Sequence, residues 1–161
     1  MNHRRIGIIY AVATPELGID RLRAYEECQL SAGFPVEEDL VIRCGPTLEE
    51  GYQTALRLLS LPERPTAIVA INDVLAIAAL RAIRDAGLRV PADVSLLSYD
   101  DIPVAKYVMP RLTTVSKDII AMGRRAVQML RARIENPERP HETENGPTRL
   151  IIRESIGPAP H

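Results

Sequence analysis

Residues Ala67 to Asp101 read AIVAINDVLAIAALRAIRDAGLRVPADVSLLSYDD, and no other stretch restricts the fold so strongly. Ala67–Ile71 is a short continuous apolar run, the pattern of a strand buried on both faces. Asn72 or Asp73 is a natural N-cap for a helix after it. Gly87 ends that helix, and Pro91 leads into a second apolar run, Val94–Tyr99. Strand, helix and strand in this order imply parallel strands joined by a right-handed crossover. A polar pair follows the first strand (Asn72-Asp73) and another ends the second (Asp100-Asp101). Open parallel sheets bind ligands beyond the carboxyl ends of their strands, so both pairs belong to a candidate crevice. The helix between them is apolar nearly all round from Val74 to Leu80. A helix with only one face on a sheet would show polar residues there. It therefore needs a second apolar neighbour, either another helix or another subunit.

The flanking chain repeats the alternation. Ile6–Tyr10 is a first buried strand, followed by a loop with Thr14, Pro15 and Gly18 and a helix from Ile19 to Ala32. That helix has Ile19, Leu22, Tyr25 and Cys28 or Gln29 near helical spacing, and Gly33 stops it. Leu40–Ile42 is the second strand. Thr47 to Glu50 forms a T-x-x-E capping box that opens a helix ending before Pro62. After the central stretch comes an irregular segment, Ile102 to Pro110, and then a strand, Leu112–Val115. Ser116 or Lys117 opens the longest helix, to about Ile134, with Ile119, Met122, Ala126, Leu130 and Ile134 aligned. Arg124, Arg125, Arg131 and Arg133 on its other faces fit a solvated surface with favourable C-terminal charge. A loop from Asn136 to Pro147, a last strand Arg149–Arg153 and a frayed tail from Gly157 to His161 complete the chain. This order defines an α/β class: a parallel sheet flanked by helices.

With 161 residues, the chain is long enough for one good core. A net charge of −1 gives no electrostatic reason for it to bind a phosphate backbone. No apolar run approaches the roughly 18 residues of a membrane span, and the N-terminal run is too short for a secretory signal. A cytoplasmic protein is expected. Cys28 and Cys44 match no metal spacing and are expected to be small buried thiols.

Arg21, Asn72 and Asp100 lie in three different strand–helix units, and a parallel sheet would bring them to one rim. Arg21 offers a rigid donor fork, Asn72 one acceptor and two donors, and Asp100 two acceptor oxygens. Together they suit a small polyhydroxylated or zwitterionic ligand. Each also has a plain structural role open to it: Asn72 as a helix cap, Arg21 as a surface charge, Asp100 as an Asx turn. A magnesium or phosphoacceptor site would have to use Asp73, Asp100 and Asp101. Receiver domains of phosphorelays carry their acidic pair after the first strand, where this chain has Tyr10-Ala11-Val12. No nucleophile–base pair, phosphate loop or dinucleotide fingerprint is present. No catalytic residue, metal or cofactor is expected.

Several segments resemble the effector-binding core of the lactose-repressor (LacI/GalR) family of bacterial transcription regulators. These are NHRRIGII, RLRAYEECQLSAG, PTAIVAINDVLAIAALRAIRDAGLRVPADVSLLSYDDIP, PRLTTVSKDIIAMGRRAVQML and LIIRES. The stretch from Pro65 to Thr114 carries the most specific signatures in order and spacing. The resemblance implies one lobe, the C-terminal one, of a type I periplasmic-binding-protein-like fold whose ligand cleft lies between two lobes. It implies a carbohydrate or similar small polar effector, a homodimer, and operator DNA bound only through an N-terminal helix-turn-helix missing here. Residues 1–115 would form the lobe. Residues 116–146 would be a helix and loop that pack on a missing N-terminal lobe, or else on a second copy. Residues 147–161 would return to the first lobe. Arg21, Asn72 and Asp100 match the family's ligand residues, and Val74, Ile77, Leu80 and Val108 match its dimer contacts. Ala24 replaces a usual glycine, Pro46 a stacking aromatic, and Pro15 falls near a second arginine of nucleobase-sensing members. These departures argue against a purine effector and leave the sugar open. A sugar-transport binding protein shares the fold and is the alternative.

Overall fold

The computed structural model describes residues 1–11 and 15–160. The elements follow one another as β1 (Ile6–Ala11), α1 (Pro15–Ser31), β2 (Val41–Cys44), α2 (Leu48–Leu59), β3 (Ala67–Ala70) and α3 (Asp73–Asp85). Then come β4 (Ser95–Asp100), β5 (Thr113–Lys117), α4 (Ile119–Glu135) and β6 (Thr148–Ile151). The strands form one sheet in the order β2-β1-β3-β4-β5-β6. All neighbouring pairs are parallel except the last, where β6 runs antiparallel to β5. The expected parallel sheet flanked by helices is present, with one antiparallel edge strand added.

Apolar side chains on the strands build the core. Ile8, Ile9, Ile68 and Leu96 are fully buried, and Leu58, Leu75 and Ile83 close over them from the helices. Each such burial contributes about 1.5–3 kcal/mol. Helix α1 is fastened to the sheet by Tyr25, whose hydroxyl donates to the Ile6 carbonyl at 2.6 Å. Burial, with Glu37 and Glu26 nearby, pushes that phenol up to about 12. The helices end as the sequence predicts: Gly33 and Gly87, with φ of 79° and 74°, take the left-handed conformation that glycine adopts without a Cβ penalty.

The second neighbour of α3 is α2. The two helices approach at Gly51, where an added Cβ would lie 2.8 Å from Leu75 Cδ2 and 3.1 Å from Ala78 Cβ. The four residues expected at a dimer contact differ in exposure within this packing. Leu80 is 9% exposed and belongs to the core, whereas Val74 is exposed at the helix surface and Ile77 and Val108 are partly buried. Gly51 on α2 and Ala78 on α3 let the two helices close on each other, with Leu75 packed at the same point.

Several other expectations change. Helix α1 begins at Pro15, so Pro15 and Gly18 are helical, whereas Thr14 lies outside the described residues. Cys28 is exposed and Cys44 half-buried, so neither is a buried thiol; Gln29, 5% exposed, takes the inward position beside Cys28. The C-terminal segment is anchored rather than frayed. The Leu96 amide donates to the Ser155 carbonyl at 2.7 Å, and the Gly157 amide donates to Ser95 Oγ at 2.9 Å. The Ala159 amide donates to the Met1 carbonyl at 2.8 Å; His161 lies outside the described residues.

Strand β5 runs two residues further than its apolar pattern, to Lys117, and Asp118 rather than Ser116 or Lys117 caps α4 by accepting from the Ala121 amide at 2.9 Å. Helix α4 buries none of its residues. Ile119, Leu130 and Ile134 are each more than half exposed; Arg124, Arg125 and Arg131 are exposed, and Arg133 is half-buried and donates to the Arg139 carbonyl at 2.9 Å. The apolar stripe that the sequence sets along this helix is therefore uncovered by the chain's own sheet.

Candidate functional site

The carboxyl ends of β3, β4 and β5 form a rim, and the sequence fixes what stands on it. Asp100 ends β4 with φ of 115°, and Asp101 follows with φ of 55°. Two consecutive non-glycine residues in this region are strained, commonly by about 1–3 kcal/mol each, and such strain persists only where neighbours hold it. The neighbours here are specific. Asp101 pairs with Arg153 at 2.6 Å, and its amide donates to Thr114 Oγ1 at 3.3 Å. Asp100 lies 2.9 Å from Lys117 Nζ and 3.8 Å from Arg21 Nη2. The side chains of Arg21, Asp100 and Lys117 are each 26% exposed, so all three remain open to a ligand while being held in place.

Tyr99 is the platform under the cations. The Arg21 guanidinium sits 3.9 Å from its ring centroid and Lys117 Nζ 5.3 Å. Arg21 also donates to the Ile71 carbonyl at the end of β3. Helix α1 thus reaches across to the ends of β3 and β4 through a single side chain.

Asn72 takes the first of the two roles that its sequence context allows, that of helix cap. Its Oδ1 accepts from the Leu75 amide at 2.9 Å and caps α3, which leaves the carboxamide nitrogen to point a donor elsewhere. Asp73, the other candidate cap, is instead fully buried. It accepts from Thr114 Oγ1 at 2.8 Å, from the Ile102 amide at 2.7 Å and from Ser98 Oγ. It staples α3 to β4 and β5 and has no oxygen to spare for a metal. No cluster of three or more metal-ligating side chains occurs among the described residues.

The structure therefore brings Arg21 and Asp100 together, with Asn72 at the end of the neighbouring strand. It adds two residues that the sequence reading missed, Tyr99 and Lys117. Lys117 was hidden because the apolar pattern of β5 stops at Val115, and the lysine then reads as the start of a helix. Its signal was Asp118, a better cap one position later. Beyond Asp100 and Asp101 lies a cavity of about 650 Å³, bordered by Lys117, Ile119, Pro147 and Arg149. That is an ordinary volume for a small-molecule site. A smaller groove of about 370 Å³ runs between α2 and α3 past Leu48, Tyr52 and Ile77, away from these charged groups. The rim can hold and orient hydroxyl and charged groups. Among the described residues it holds no nucleophile beside a base.

The comparisons with known proteins place this rim and its mostly parallel sheet among the periplasmic binding protein-like domains. The chain belongs to that family, which it matches over residues 1–156. Within the family it is of the type found in LacI-family regulators. It is 38% identical over 159 residues to the HTH-type transcriptional repressor PurR of Escherichia coli, covering 98% of this chain and 46% of that one. Among solved structures, the complex of the transcriptional regulator CelR with cellobiose superposes with a TM-score of 0.90 at 35% identity, over 96% of this chain and 47% of that chain. A LacI family regulator from Enterococcus faecium with bound ribose superposes with a TM-score of 0.86 at 29% identity, over 98% and 58% respectively. The chain thus spans about half the length of the relatives it matches. Those relatives are regulators rather than enzymes. No helix among the described residues is long and apolar enough to cross a membrane.

Proposed function

We propose that this chain is the effector-sensing and dimerisation lobe of a LacI-type transcription regulator, and that it acts in the cytoplasm without catalysing a reaction. The carrying observation is Asp100. A strained carboxylate held at a strand end, beside Arg21 and one strand from Asn72, makes a convergent set of acceptors and donors for a polyhydroxylated molecule. The cellobiose and ribose bound to two structural neighbours favour a carbohydrate. The domain would be one wall of a cleft. The uncovered stripe of α4 would pack on apolar surface outside this chain's own sheet. Operator DNA would be bound by a helix-turn-helix outside the elements described here.

Homodimerisation would use the surface around α3. Val74 and Leu48 are exposed there, and Ile77 lines the groove between α2 and α3. Tyr107 and Met109, 76% and 94% exposed, stand on the loop that the Ile102 amide fastens to Asp73 at the start of α3. Apolar residues this exposed on one side of a lobe are the composition of an interface rather than of open surface.

Calorimetry of the intact regulator against a sugar panel tests the effector reading. Asp100→Ala is expected to weaken the binding of whichever sugar the native protein takes up by about tenfold or more, because a charged hydrogen-bond acceptor contributes roughly 1.5–3 kcal/mol. Unchanged affinity in the variant would make Asp100 a turn residue and remove the main support for the reading.

A further inference from the structure

Asp73 is the only fully buried carboxylate among the described residues. Burying a carboxylate is costly unless donors surround it. Helix α3 does not need it as a cap, because Asn72 already fills that place. Its two oxygens instead join separate segments. Oδ1 accepts from Ser98 Oγ on β4 and from Thr114 Oγ1 on β5, the latter at 2.8 Å. Oδ2 accepts from the Ile102 amide at 2.7 Å. Ile102 directly follows the strained pair Asp100-Asp101, whose φ angles are 115° and 55°. Thr114 Oγ1 also accepts from the Asp101 amide at 3.3 Å. Asp73 therefore holds this turn directly at Ile102 and, through Thr114, at Asp101.

What leaves that turn is the exposed loop. Ile102 opens a short 3-10 turn, Pro103–Lys106, without a side-chain cap of its own. Ala105 is buried, and its carbonyl accepts from the Leu112 amide at 2.9 Å. Beyond that point Tyr107 and Met109 project into solvent. Their direction is set at the base of the loop, by the Asp73–Ile102 bond and the Ala105–Leu112 bond. A protruding apolar tip binds more tightly when it is ordered in advance, because less freedom is lost on association. We propose that Asp73 is a positioning residue for dimerisation: its carboxylate fixes the Ile102–Met109 loop so that Tyr107 and Met109 are presented to a second copy of the chain. The same turn carries Asp100, so the rim and the loop share one support. This inference rests on the dimerisation reading above and adds the buried group that sets the contact surface.

The test combines hydrogen exchange read by mass spectrometry, on dilute monomeric chain, with sedimentation velocity over a concentration series. Every variant carries Leu130→Glu and Ile134→Glu, which removes association through α4. In Asp73→Ala, the loop amides of Ala105, Tyr107 and Val108 are expected to exchange about tenfold or more faster, and the dimer dissociation constant to rise by a similar factor, because a hydrogen bond to a charged group is lost. Asp73→Asn is expected to restore both to within about threefold, because its oxygen can turn to the Ile102 amide and its nitrogen to hydroxyls that accept as well as donate. A purely structural role would speed exchange in β1 and β3 as much as in the loop, with no rescue of the dimer by asparagine. That result, or a loop unaffected in Asp73→Ala, overturns the proposal. If Asp73→Ala does not fold, Thr114→Val removes the shared hydroxyl with little change of shape. It must then speed the loop more than β1, and equal rates overturn the role. Tyr107→Ser separates the two readings. If it weakens the dimer while Asp73→Ala does not, only this inference falls. If Tyr107→Ser leaves the dimer unchanged, the dimerisation reading falls and this inference with it.

Discussion

Asn72 illustrates how one side chain can serve the fold and the ligand with different atoms. Its oxygen caps α3 at 2.9 Å from the Leu75 amide, while its nitrogen is the only part that can donate to a hydroxyl. The two roles separate by substitution. Asn72→Asp keeps a capping oxygen, and aspartate caps as well as asparagine, so stability should stay within about 0.5 kcal/mol by denaturant titration. Effector affinity should nevertheless drop, because the donor has become an acceptor. Equal losses of stability and affinity would mean that the cap is the whole role. Asp73 next to it makes the opposite case. Three hydrogen bonds to buried or half-buried partners make it a structural carboxylate, although it is the acidic neighbour of a residue proposed to meet the ligand.

At the level of elements, the close pairing of α2 and α3 rests on the absence of a side chain at Gly51. A valine there would drive its methyl groups into Leu75 and Ala78. Gly51→Val is expected to cost about 1–3 kcal/mol, the usual penalty of overpacking, read as a lower urea midpoint with an unchanged slope. No shift in the midpoint would mean that the helices can part freely.

The same elements show why some of the fold was legible and some was not. β1, β3, β4 and α3 are coded locally, by apolar runs, a cap and a terminal glycine, and their bounds fall within a residue or two of the sequence reading. β6 is antiparallel and exposed along most of its length, so its pairing depends on where α4 and the following loop carry the chain. Local pattern contains no record of that path. Leu80, expected at a dimer contact, is largely covered by the chain's own core for a related reason. Periodicity shows that a face is apolar and does not show which neighbour covers it. Arg21 and Asp100 were legible because they stand where a parallel sheet must put them. Lys117 was not, because its position depends on how far β5 extends.

For the whole molecule, the outstanding feature is an apolar stripe that the sheet does not cover and that the following loop meets at Met122. Ile119, Leu130 and Ile134 on α4, with Leu150 and Ile152 at the sheet edge, are between 49% and 69% exposed. Surfaces like this drive association. Sedimentation velocity over a concentration series should show the chain self-associating. Replacing Leu130 and Ile134 together by glutamate should reduce that association and leave the melting temperature nearly unchanged, since neither side chain packs on the sheet. A monomer at every concentration, or association indifferent to the double substitution, would count against the proposed packing of α4.

The anchored C-terminal segment has a consequence for how the protein could transmit a signal. Met1 and Ala159 are joined by a backbone hydrogen bond, and His3 lies 2.9 Å from the Gly157 carbonyl. Both ends of the chain therefore emerge at the amino-terminal pole of the parallel strands. The rim of Arg21 and Asp100 lies at the other pole, about 20 Å away for a strand of six residues. The charged rim and the Met1–Ala159 pairing are thus held at opposite ends of one sheet, and a rigid sheet ties any tilt at one end to a matching tilt at the other.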